Sequence, residues 1–72
     1  MYAVIHTTGP LPAATLKEAV VLLLRVTKAD PKVTYMPYIC RADSSCLTQY
    51  EEDAVDALRD TIDYDALTPW EA

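Results

Sequence analysis

The sequence has no phenylalanine, one glycine, one histidine and two cysteines, and each shortage removes a class of function. A lone Gly9 cannot make the glycine-rich loop whose backbone N–H groups close around a phosphate. His6 with a cysteine is the one conceivable nucleophile pair. That pair would still need an orienting group and an oxyanion hole, and no pattern supplies them. No enzyme activity is expected. His6, Cys40 and Cys46, with Asp43 between the cysteines, fall short of the four closely paired ligands that zinc takes, so no metal and no cofactor are expected either.

Long apolar runs are also missing. The longest, Ala19 to Leu24, is far below the roughly 20 residues that span a bilayer. No basic stretch precedes an apolar one near the N-terminus, as an export signal requires. The expectation is a cytoplasmic chain without membrane association, its cysteines reduced. A Cys40–Cys46 disulfide would close only a small loop.

What the sequence does have is apolar content for one core: 51% of 72 residues are hydrophobic. That bounds it to a single domain of thin stability margin. Charge is present but lopsided, with a net value of −5. Met1 to Met36 carries four basic and two acidic side chains, whereas Pro37 to Ala72 carries two basic and nine acidic ones. An electrostatic function belongs to the second half. Direct nucleic-acid binding there is disfavoured, because phosphates would be repelled.

The β-branched and aromatic residues of Tyr2 to Thr7 read as a strand. Gly9, Pro10 and Pro12 read as a break. Thr15 and Glu18 fit a capping box, in which hydroxyl and carboxylate satisfy free backbone N–H groups. A helix should follow from about Leu16 to Ala29, ended by Asp30-Pro31. Leu16, Ala19, Val20, Leu23 and Val26 share one face, widened by Leu22 and Leu24. So broad an arc points to packing on a sheet and on a second surface. Lys32 to Arg41 reads as a second strand, interrupted at Pro37, and Ala42 to Leu47 as a loop. Thr48 and Glu51 form a second capping-box match ahead of a helix from about Gln49 to Asp63, with Ala54, Val55, Leu58 and Ile62 as its apolar stripe.

The fold class is α+β, in the order β-α-β-α, with a two- or three-stranded sheet packed against two helices. Two strands alone make a poor sheet. Either Pro37 divides a hairpin-like pair or two copies of the chain complete the sheet as a homodimer. Residues 65–72 read as a C-terminal tail with freedom to move, anchored by Leu67 and Trp70.

The sharpest surface feature lies on the second helix. Glu52, Asp53, Asp56, Asp60 and Asp63 fall within an arc of about 100° opposite the apolar stripe. Carboxylates recur roughly every 4 Å along the axis, close to the 3.4 Å per phosphate of a nucleic-acid strand. An ordinary solvated helix face mixes both signs, and here only Arg59 interrupts. Five tyrosines and one tryptophan are many for this length, and such side chains anchor interfaces. Tyr38, beside Pro37, and Trp70, in the tail, are the contact candidates.

In size and charge pattern, though in no specific motif, the chain resembles small phage-encoded proteins that block host defence or transcription, anti-CRISPR proteins included. That resemblance implies an inhibitor acting as a nucleic-acid mimic. Its partner would be another protein with a basic nucleic-acid-binding surface, met by Glu52, Asp53, Asp56, Asp60, Asp63, Tyr38 and Trp70. The alternative is a self-associating structural or regulatory module whose acids only solubilise it.

Overall fold

Pro10 and Pro12 do not break the chain; they stand in a strand. A computed structural model describes residues 1–6, 9–29 and 37–71. It places β1 at Tyr2–His6 and β2 at Gly9–Ala13, paired antiparallel from Tyr2 opposite Ala13 to His6 opposite Gly9. A third strand, β3 at Tyr38–Arg41, pairs antiparallel with the other edge of β1. The sheet order is β2-β1-β3, so β1 is central.

The register explains why proline is tolerated. Ala42 donates its backbone N–H to the Met1 carbonyl at 3.1 Å. Since the bonding direction alternates along a strand, Ala3 and Ile5 turn their N–H groups toward β3, and Tyr2, Val4 and His6 turn theirs toward β2. Leu11 and Ala13 therefore sit in the hydrogen-bonded pairs with β1. Pro10 and Pro12, opposite Ile5 and Ala3, have their nitrogens on the outer edge, where no ladder bond is lost. Two prolines spaced two apart keep one parity, which an edge strand accepts, so the segment pairs where a break was expected. The chain's one glycine, Gly9, has φ +118°, a conformation open to glycine and strained for other residues.

The first helix, α1, spans Leu16–Ala29 as the periodicity indicates. Its start carries a displaced capping box. Thr15 Oγ1 accepts from the Glu18 N–H at 3.1 Å, while Glu18 accepts from the N–H of Ala14 at 3.0 Å instead of from that of Thr15. Ala19, Val20, Leu23, Leu24 and Val26 are buried along it. This wide arc is used twice, because α1 packs on all three strands and on the second helix. Ala19 and Leu23 meet Val4 and Ala13, with Tyr2, Leu11, Leu22 and Ile39 packed around them. Burial of Val4 or of Leu23 contributes on the order of 1.5–3 kcal/mol.

The second helix, α2, spans Gln49–Thr61, two residues shorter than expected. Ile62 is already extended, its N–H bonded to the Arg59 carbonyl at 3.3 Å. Asp63 competes for the chain: its Oδ1 accepts from the Asp65 N–H at 3.1 Å and caps a 3-10 turn at Tyr64–Ala66. The α+β class holds, in the order β-β-α-β-α, with residues 9–13 supplying a strand beside β1 in place of the expected break. The first half of the expected Lys32–Arg41 strand, and the Asp30-Pro31 stop, lie outside the described residues.

Candidate functional site

Two features of α2 decide what it can offer: how its first turn is fixed, and what its outer face shows to solvent. Thr48 is the N-cap, and Glu51 closes a full capping box with it. Glu51 Oε1 accepts from the Thr48 N–H at 3.0 Å, and Thr48 Oγ1 accepts from the Glu51 N–H at 3.2 Å. The same carboxylate reaches two strands. Arg41 of β3 donates from Nη2 at 2.7 Å and from Nε at 3.2 Å, and the Tyr2 hydroxyl of β1 donates to Oε2 at 2.7 Å. Glu51 is 9% exposed, yet every interaction it makes favours the ionised form. The Thr48 backbone N–H, then Tyr2, then Arg41, hold its carboxyl down to about 2 against an ordinary 4.5. The reciprocal bonds raise the Tyr2 phenol and the Arg41 guanidinium.

The loop that delivers α2 is built as carefully. Ser44 takes φ 71°, and its N–H bonds to the Arg41 carbonyl at 2.9 Å. Arg41 returns its own N–H to the Ser45 carbonyl at 3.0 Å. Asp43 accepts from both the N–H and the hydroxyl of Ser45, which lowers its pKa. Backbone and charge together set the direction in which α2 leaves the sheet.

With its first turn pinned, α2 turns Glu51, Ala54, Val55 and Leu58 inward, with Ile62 half-buried just past its end, and leaves Glu52, Asp53, Asp56 and Asp60 exposed. Four carboxylates thus line about 12 Å of helix at 1.5 Å per residue. Asp53 accepts from the Gln49 amide at 3.0 Å. Among the described residues the single ion pair is Arg41–Glu51, so no acid of this ridge is neutralised by a basic side chain there. Asp63, expected to complete the ridge, is exposed but stands off the helix, with its carboxylate on backbone.

The two aromatic candidates part company. Tyr38, 52% exposed, borders an open groove of about 400 Å³ together with Glu52, Asp56 and Arg59. Ile39, Leu47 and Val55 line its interior. Trp70 is not part of that groove. Its ring meets His6 edge-on at 5.8 Å, and its backbone N–H bonds to the Arg25 carbonyl at 3.1 Å. Thr68 is held by Arg25, and Lys28 donates to the carbonyls of Tyr64 and Asp65 while lying 5.1 Å from the Tyr64 ring. The tail therefore runs back along α1.

The sequence reading missed the groove's interior. Leu47, an isolated apolar residue after Asp43-Ser44-Ser45-Cys46, was its one visible signal. Cys40 is a buried free thiol and Cys46 an exposed one. Among the described residues no group of three or more His, Cys, Asp or Glu side chains is placed to hold a metal ion, and no helix is long and apolar enough to cross a membrane. Comparison with protein-family models, curated proteins and solved structures finds no match.

Proposed function

We propose that the protein is a small inhibitor that docks the acidic face of α2 on a basic, nucleic-acid-handling surface of another protein, in the manner of phage-encoded antagonists such as anti-CRISPR proteins. One observation carries this reading. Glu52, Asp53, Asp56 and Asp60 are all exposed on one helical face with no ion-pair partner among the described residues. Meanwhile the neighbouring Glu51, which the fold needs, is fully engaged inside. Acid used for structure and acid left to solvent are separated along a single helix.

The physics of such docking is electrostatic steering. A dense anionic ridge speeds encounter with a cationic groove, and affinity falls as salt rises. Carboxylates about 4 Å apart along the axis offer a basic site the charge spacing of a single strand without its sugars and bases. The groove beside Tyr38 would supply the apolar contact that charge alone lacks.

The test is capture from host extract by the immobilised protein, compared with its Asp56→Lys/Asp60→Lys variant. The reading expects a nucleic-acid-binding protein that is retained by the parent, released by salt or by a competing oligonucleotide, and lost with the variant. Equal retention by both forms contradicts it.

A further inference from the structure

We propose that the groove between α2, β3 and Leu47 receives one apolar side chain of the partner, flanked by lysine or arginine, so that the ligand is an apolar–basic segment and not a merely basic surface. The inference rests on the reading of α2 as a docking face and names what that face recognises.

The groove lies where two unlike surfaces meet. Its interior is the half-buried side chains of Ile39, Leu47 and Val55. Its rim on the helix side is Gln49, Glu52, Asp56 and Arg59, two acids and one base, and the exposed ring of Tyr38 stands on the strand side. Glu52, Val55 and Asp56 belong together because residues three and four apart share a helix face. The two acids thus overhang an apolar interior, whereas Asp53 and Asp60 lie further around the helix. A volume of about 400 Å³ admits a large aliphatic or aromatic side chain.

Charge complementarity chooses the occupant. Glu52 and Asp56 outweigh Arg59, with which neither forms an ion pair, so the rim is net negative and a cation beside the two carboxylates relieves their repulsion. An anionic ligand would meet two acids against the one base, Arg59. A purely cationic one would leave Ile39, Leu47 and Val55 in water. An apolar side chain next to a lysine satisfies both requirements, and Tyr38 offers its face to the cation or its edge to the apolar group.

The full chain, labelled with ¹⁵N, is titrated with two synthetic peptides of equal length and charge, one alternating lysine with leucine and the other lysine with serine. The expected result is that the lysine–leucine peptide shifts the amide signals of Tyr38, Leu47 and Val55 and binds about tenfold more tightly than its serine counterpart. The Tyr38→Ser variant, altered at an exposed position, should remove most of that preference. Equal affinities, with shifts confined to Asp53 and Asp60, would overturn the groove while leaving the acidic ridge as a docking face. No binding of either peptide would overturn both. Shifts at Tyr38, Leu47 and Val55 that grow with protein concentration alone would overturn it too, by giving the groove to a second copy of the chain.

Discussion

The Tyr2 hydroxyl donates to Glu51 Oε2 at 2.7 Å, joining the first strand to the first turn of the second helix across 49 positions of sequence. Arg41 holds the other oxygen of the same carboxylate. One side chain thereby ties β1, β3 and α2 together and orients the helix that carries the acidic ridge.

That junction should be visible in acid. Glu51 has its folded pKa, about 2, below the ordinary 4.5. The folded state therefore binds this proton less readily than the unfolded chain. The stabilisation is complete above the unfolded value and is lost as pH falls from about 4.5 toward about 2. Denaturant unfolding of the parent and of Glu51→Gln across that range should show the parent more stable at neutral pH and the difference shrinking as acid is added. A difference independent of pH contradicts the assignment.

Leu23 lies 7% exposed against Val4, Ala13 and Ala19. Leu23→Ala should cost about 3 kcal/mol by leaving a cavity, and Thr48→Ala about 1 kcal/mol by removing a cap. Against a total on the order of 4–10 kcal/mol for a chain of this length, the first should bring the domain near unfolding and the second should not. Denaturant midpoints read both. Equal costs for the two would show that Leu23 is not a core residue.

The outer edge of β2 has no N–H donor at Pro10 or Pro12. It can accept ladder bonds from another chain but not donate them, and the prolines act as a guard against edge-to-edge pairing. The Pro10→Val/Pro12→Thr variant restores both donors and should self-associate more strongly in sedimentation. Unchanged association would mean that something other than the prolines protects this edge.

The Trp70 ring on His6 and the Trp70 backbone N–H on the Arg25 carbonyl fasten the tail. Trp70→Ala removes only the ring; it should cost about 1 kcal/mol and speed amide exchange across residues 64–71. Exchange in the parent as fast as in an unfolded chain would show that the strap does not hold.

Much of this was legible from residue order, for reasons that are local. The start of α1 and the cap of α2 are written in Thr15, Glu18, Thr48 and Glu51, whose capping hydrogen bonds reach only three or four residues. The outward face of Glu52, Asp53, Asp56 and Asp60 follows from helical periodicity once Val55 and Leu58 turn inward. What could not be read depends on pairing between distant segments. Gly9–Ala13 is a strand only because Tyr2–His6 lies beside it and accepts its proline parity. The second half of Glu51's role needs Tyr2 opposite Arg41 across the sheet. The groove exists only because β3, the Leu47 loop and α2 converge, and none of the three announces the others.

The central claim is that the exposed carboxylates of α2 bind a cationic partner by charge. It is tested most directly by the salt dependence of affinity for the captured partner, measured for the parent and for Asp56→Lys/Asp60→Lys at matched fold stability. The account predicts affinity that falls steeply with salt for the parent and is lost in the variant, whose unfolding midpoint stays within a few degrees of the parent's. Affinity indifferent to salt, or retained by the variant, would contradict it.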